Sequence, residues 1–360
     1  MTKYAFDNTN KSFFKGIKEN VDAYFRVHDI HPAGNGKLYT KSVIQVCASL
    51  ILYTTLVFFT PGPFLSIVLC AILGFNLAVI GFNVMHEGGH QAFSKYKIIN
   101  DISAYSLNVL GGISYFWKVK HNVNHHTYTN VEGMDSDIDV KPFMRLHEGQ
   151  PWRPYHRFQH LYWVPLYGIS YLAWVFYEDF VKYFRDRISP NSDVKKMPAR
   201  EHIIFWVTKL MYVTLYAVIP IIMVGFVPWL VGFLVITVVC GLTTSVVFQL
   251  AHVVEGTQFH EVEGQVAANK QEWAIHQVVS TANFGTSSRT LHWLLGGLNF
   301  QIEHHLFPRI SHIHYPVISQ YVRNACKEAG VTYHEYKSMF AAIGSHLAHL
   351  RKLGARQIAR

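Results

Sequence analysis

Apolar residues fill the chain almost without interruption from residue 43 to 60, and again from 64 to 85. Only Pro61-Gly62-Pro63 separates the two runs. A helix of about 20 apolar residues crosses the hydrocarbon core of a bilayer, so the pattern predicts two spans joined as a hairpin. It returns at 203–224 and 228–250, with Gly225-Phe226-Val227 as the turn. Residues 102–116 and 161–177 are apolar too, but short and broken by Gly, Ser, Asn or Pro. They predict interfacial or buried helices rather than spans. The polar stretches 134–139 and 185–196 read as solvated loops. The first 41 residues are polar and basic, with Phe13, Phe14, Tyr24 and Phe25 interspersed. They predict an amphipathic arm on the membrane surface, with His31-Pro32-Ala33-Gly34 as a turn. Beyond residue 252 the chain is polar-amphipathic. The expectation is an all-α integral membrane protein. It comprises an arm (1–41), a membrane domain (42–315) with four transmembrane helices in two hairpins, and a C-terminal helical segment (316–360). A cytosolic helical cap covers the spans.

Charge sharpens this topology. A net charge of +9 often signals nucleic acid, but here Lys and Arg flank the apolar runs, so the partner is the lipid bilayer and not nucleic acid. Of the 32 Lys and Arg, 31 lie in the arm, in the segment between the hairpins or beyond residue 252, and neither short link carries one. The positive-inside rule then places both termini and the middle segment in the cytosol. The remaining cation, Lys209, sits about two turns inside the third span and is expected to snorkel. Asn76 and Asn83, in the second span, should face the bundle interior. Three of the four cysteines lie in apolar runs and none pairs at a metal spacing, which argues against a disulfide framework or zinc ribbon. No apolar stretch in the arm resembles a signal peptide, so no cleavage is expected.

Histidines gather where spans meet the cytosolic face. They are His86 and His90, the run His121-Asn122-Val123-Asn124-His125-His126, His252, and Gln301-Ile302-Glu303-His304-His305. On an α-helix His121 and His125 share a face, with His126 about 100° round from His125. His86-Glu87-Gly88-Gly89-His90 also matches the His-Glu-x-x-His pattern of zinc proteases. Such an enzyme needs one or two further ligands, whereas this chain offers at least six, and the Asp-Gly pair of intramembrane proteases is absent. Eight imidazoles exceed one tetrahedral zinc site but suit two ions of higher coordination. Neutral nitrogen ligands alone leave iron, copper, nickel and zinc open. His147, His156, His160, His276, His292, His312 and His314 read as ordinary hydrogen-bonded or interfacial groups.

These groups resemble the three histidine boxes of the integral-membrane fatty acid desaturase family, over residues 40 to 315 or so. The phrase Asn299-Phe300-Gln301-Ile302-Glu303-His304-His305-Leu306-Phe307-Pro308 is the most specific element. Its leading Gln, where other branches carry His, is similar to front-end desaturases and their bacterial relatives. The resemblance implies a histidine-rich dimetal centre of two iron ions held by His86, His90, His121, His125, His126, His252, His304 and His305. Gln301 and Asn283 are implied as water-mediated contacts. Asp135 and Asp137 match the family's Asp-x-Asp and are read either as imidazole-orienting carboxylates or as part of a solvated loop. The implied reaction is O2-dependent desaturation of an acyl chain carried on CoA or a lipid, placing a cis double bond. Electrons come from an external donor, a ferredoxin or a cytochrome-b-type haem protein with its reductase. The setting implied is a bacterial inner membrane or the endoplasmic reticulum, with the active site cytosolic. A hydroxylase on the same scaffold is the nearest alternative, and a metal transporter is a third.

Overall fold

Helices dominate the structure, a computed structural model that describes residues 3–7, 9, 11–189, 192–261, 266–269 and 271–355. In chain order the helices used below are α1 (Ser12–Val27), α2 (Gly36–Phe59), α3 (Pro63–Gly89), α4 (Lys97–Val109), α5 (Lys118–His125) and α6 (Gln159–Ala173). They continue with α7 (Ala199–Val224), α8 (Phe226–His252), α9 (Trp273–Val279), α10 (Gln301–Leu306), α11 (Tyr315–Ala329) and α12 (Met339–Gly354). Helices α2, α3, α7 and α8 are the four predicted spans, each long and apolar enough to cross a membrane. They overrun the apolar stretches at their ends. Helix α3 continues past Met85 and carries His86 to Gly89, while α8 ends on His252. The starts follow local chemistry: the Asn35 side chain caps α2 by accepting from Lys37 N, and Pro63 opens α3. Helices α4 and α6 occupy the two shorter apolar stretches.

The chain divides into two compact units. One consists of residues 34–119 and 164–246 and holds most of the spans. Asn76 Nδ2 donates to Gln45 O at 2.7 Å and to Ser49 Oγ at 2.8 Å, tying α3 to α2. Asn83 Nδ2 donates to Val79 O at 2.8 Å, so the Nδ2 groups of both asparagines bond within the protein. Phe59, Phe64 and Ile222 are about 75–82% exposed, a surface that water would disfavour and a bilayer accommodates. An apolar cleft of about 520 Å³, lined by Tyr53, Cys70, Tyr216, Trp229 and Phe233, lies by the hairpin turns. It therefore sits at the opposite end of α3 from His86.

Lys209 does not snorkel. It is buried, and its Nζ donates to Asp179 Oδ2 at 2.9 Å and to the carbonyls of Gly111 and Val175 at 2.7 Å. A carboxylate and two carbonyls within reach outweigh the route to the interface, because an ammonium ion inside a membrane protein needs partners more than it needs water.

The second unit comprises residues 1–33, 120–163 and 247–360. A strand, Lys3–Phe6, pairs in parallel with Val266–Asn269. Helix α1 is amphipathic as its sequence implies, and its apolar face packs against other helices of the unit. Ile17 and Val21 are fully buried with Ala274 and Val278 of α9 and Ile318 and Val322 of α11. The Glu272 carboxylate accepts from Phe13 N and Phe14 N at the α1 N-terminus, where negative charge is favoured. Residues 31–34 form the expected bend, with Pro32 O accepting from Ser311 N at 2.8 Å.

Replacing Lys209 with Met is expected to lower stability by about 3–5 kcal/mol, because Asp179 is left buried without its cation. The double replacement Lys209→Met with Asp179→Leu should recover most of the loss. Thermal unfolding of the detergent-solubilised protein measures both, and a Lys209→Met protein as stable as wild type would contradict the pairing.

Candidate metal centre

The second histidine run lies on α5, which is wound more widely than an α-helix, with i→i+5 hydrogen bonds. His126 N donates to His121 O at 3.1 Å, which brings residues five apart onto one face. The Nε2 atoms of His121 and His126 are 3.2 Å apart, and the rings of His121 and His125 stack at 5.1 Å. The wider turn brings His126 back toward His121 rather than leaving it well round the helix, and all three imidazoles converge. The C-terminal end of α5 is held by Thr129 Oγ1, which donates to His125 O at 2.7 Å.

Three more imidazoles of the same unit join them. Helix α10 is short, with His304 and His305 in its last turn. The His305 ring lies 4.9 Å from His125, 5.0 Å from His252 and 4.4 Å from His126, while His304 lies 4.7 Å from His126. His125 and His252 are 4.7 Å apart. One ligand atom from each of His125, His252 and His305 falls within 4.8 Å of the other two. All six rings are at most 6% exposed.

Partners on Nδ1 orient these rings. His125 Nδ1 donates to Asp135 Oδ2 at 3.0 Å, His305 Nδ1 to Gln277 Oε1 at 2.8 Å and His304 Nδ1 to Tyr315 Oη at 3.2 Å. His252 Nδ1 faces Ser280 O at 3.5 Å, and His121 Nδ1 lies 3.6 Å from Asp137 Oδ2. A proton fixed on Nδ1 leaves the Nε2 lone pair as the ligand. The Nε2 atoms of His125 and His252 are buried and have no hydrogen-bond partner among the described residues. Buried polar atoms of this kind are rare because they are costly, and a bound metal would satisfy both. The donor set therefore fits a metal centre.

Electrostatics are uneven across the cluster. Burial pushes His121 down to about 4 against the pull of Asp137. Burial also works to lower His125, but the Asp135 and Asp137 carboxylates override it and hold that imidazole above its ordinary value. The acidic pair thus sets His125 apart from His121, which the same burial leaves below its ordinary value.

His86 and His90 belong to the other unit, where their rings lie 4.7 Å apart and 5.5 and 5.6 Å from Trp117. The two intervening glycines follow from close packing. A Cβ on Gly88 would sit 2.6 Å from Ser103 Cβ, and one on Gly89 only 2.2 Å from the Trp117 ring.

Asp135 is buried rather than solvated, and its carboxylate also accepts from Asn130 N and Asp137 N, both at 2.9 Å. Asp137 is partly exposed and pairs with Lys120 at 2.7 Å. Asn283 is committed elsewhere: Nδ2 donates to Glu303 at 2.8 Å and Tyr333 Oη at 2.7 Å, while Oδ1 accepts from Ile302 N. These bonds anchor α10. Glu303, pushed up to about 7 by burial despite those bonds, shares this anchoring role. Gln301 is buried at the start of α10, and its Nε2 has no partner among the described residues. Several of the other histidines bond backbone carbonyls, as expected: His276 to Thr129 O at 2.9 Å and His156 to Pro142 O at 2.8 Å. His312 packs on His292, and His314 on Phe25.

Sequence reasoning missed Gln277, Tyr315, Ser280 and Asn130. Asn130 adopts a left-handed conformation (φ 58°), and its Nδ2 lies within 3.0–3.1 Å of the carbonyls of His252, Gln258 and Ser280. It ties the segment after the second box to the end of α8. No spacing rule marks these residues, since their partners lie up to 150 positions away.

Comparison with known proteins bears on the same residues. The family model described as "Fatty acid desaturase" matches residues 62–337. The chain is 33% identical over 353 residues to the sn-1 linoleoyl-lipid 6-desaturase of Arthrospira platensis, covering 95% of this chain and 92% of that protein. It is 33% identical to the sn-1 linoleoyl-lipid 6-desaturase of Synechocystis sp., over 96% of each chain. An acyl-lipid (8-3)-desaturase of Physcomitrium patens is 34% identical over 97% of this chain and 73% of its own. With four apolar spans and a buried histidine cluster, this chain belongs to the fatty acid desaturase family, membrane oxidoreductases that act on acyl chains.

Proposed function

We propose that this protein is a front-end acyl-lipid desaturase that inserts a cis double bond into an acyl chain esterified to a membrane lipid. The observation that carries this reading is the buried cluster of Nδ1-anchored imidazoles in a chain whose relatives are named acyl-lipid desaturases. Two iron ions are the proposed metals, with His86, His90, His121, His125, His126, His252, His304 and His305 as ligands. Bound iron would supply O2 activation, the oxidising strength that an unactivated methylene requires. The overall reaction takes two hydrogens from –CH2–CH2–, adds two electrons and two protons, and reduces O2 to two waters. Those electrons require an external donor, a ferredoxin or a cytochrome-b-type haem protein. The chain's own residues supply the rest. Asp135, Gln277 and Tyr315 hold protons at Nδ1 of His125, His305 and His304, and burial of all eight rings excludes water from the reacting methylenes. The basic residues flanking the spans favour a cytosolic placement of the site and both termini.

Fatty-acid profiling of cells expressing the chain tests the activity: new cis-alkenes are expected, and hydroxy acids alone would favour the hydroxylase. His305→Ala should abolish the alkene, whereas His312→Ala should retain it at equal membrane expression with donor added. Asp135→Asn keeps an acceptor for His125 but removes the charge. It should weaken metal retention by about 10–100-fold, read as metal content after dialysis against a chelator. Single-cysteine labelling should find residues 61–63 and 225–227 on the face opposite residues 90, 126 and 305. Any two boxes on opposite faces would rule out a shared centre.

A further inference from the structure

Outside the histidine boxes, a second group of ligand-type side chains converges beside a cleft of about 380 Å³. One ligand atom from each of Glu132, His147 and Glu261 lies within 4.8 Å of the other two. Backbone pairing sets this geometry. Val131 bridges His260 in parallel, with Glu132 N donating to His260 O and His260 N to Asn130 O, both at 2.9 Å. The glutamates that follow the bridged residues are thereby held side by side. Both carboxylates reach over Gly149, where a Cβ would sit 2.2 Å from Glu261 Oε1 and 2.8 Å from Glu132 Oε2. Only a residue without a side chain leaves them that space.

His147 completes the group. It is 3% exposed, stacks on Phe259 at 5.5 Å, and turns Nε2 toward Glu132. At 3.8 Å from Oε2 that nitrogen is too far for a hydrogen bond, and it has no other partner among the described residues. Burial holds His147 below its ordinary value although Glu132 opposes this, so the neutral, metal-binding form prevails at neutral pH. Among the described residues Lys141, 3.5 Å from Glu132 Oε1, is the cation nearest these carboxylates, and Glu261 has no ion pair. Two carboxylates against one ammonium leave an unbalanced negative charge beside an orphan imidazole.

We infer that Glu132, His147 and Glu261 form a separate site for one divalent transition-metal cation of the Mn2+ or Zn2+ class. One nitrogen beside carboxylate oxygens suits these transition-metal ions, which accept imidazole, better than Ca2+ or Mg2+, which prefer oxygen alone. The ion would clamp the segment after the second box to the segment after His252, and so brace Asn130 and Asp135 from outside. It takes no part in oxidation.

The test uses full-length protein in detergent with its metal centre loaded and assayed for iron before and after. Mn2+ is titrated in, and the unbound ion is read by electron paramagnetic resonance. One Mn2+ per chain should bind without displacing iron and should raise the melting temperature. Glu261→Gln should weaken that binding by more than the about 10–100-fold typical of losing an outer partner, with alkene formation unchanged. Lys141→Ala should tighten it by removing the competing cation. Absence of Mn2+ binding beyond the metal centre, or equal binding by wild type and Glu261→Gln, overturns the site. Because the readout is ion binding, the outcome is independent of whether the protein desaturates lipids.

Discussion

Satisfying buried imidazoles is the constraint on which the metal-binding region depends. Each ring offers two nitrogens, and in a site this dry both need a partner. Carboxylate, amide, hydroxyl and carbonyl groups take Nδ1 of His125, His305, His304 and His252. What remains on His125 and His252 is a buried Nε2 lone pair whose natural complement is a cation. Removing any Nδ1 partner would free a ring to rotate or change tautomer, so the orienting groups matter nearly as much as the ligands.

Membrane physics places the ends of the spans. Helices α3 and α8 keep their candidate ligands just beyond the apolar run, where polar groups no longer face hydrocarbon. Where a charge does enter, at Lys209, protein groups surround it. The same economy explains Gly88 and Gly89, which let neighbouring side chains press against the first box.

Much of the fold was legible in the sequence because hydrophobic run length is a one-dimensional signal. The four spans, their two hairpins and the eight candidate ligands could be read directly. Three features could not. The wide winding of α5 is a backbone state that the run from His121 to His126 does not announce. The burial of Ile17 and Val21 depends on α9 and α11, roughly 250 and 300 residues later in the chain, so the arm's apolar face looked free for lipid. Asn283 was read only for its family-like position, and its bonds to Glu303, Tyr333 and Ile302, which anchor α10, were not foreseen. Long-range polar partners leave no periodic trace.

The segmented build of the unit carrying six of the eight candidate ligands bears on biogenesis. Its pieces, residues 1–33, 120–163 and 247–360, are separated by the spans of the other unit. During synthesis the run from His121 to His126 emerges long before Gln277, His304 and His305 exist. Contacts of such high sequence separation form late and slowly. The nascent chain therefore carries His121, His125 and His126 without their later partners through most of translation, and a metal site that needs those partners can close only after α9, α10 and α11 have been made.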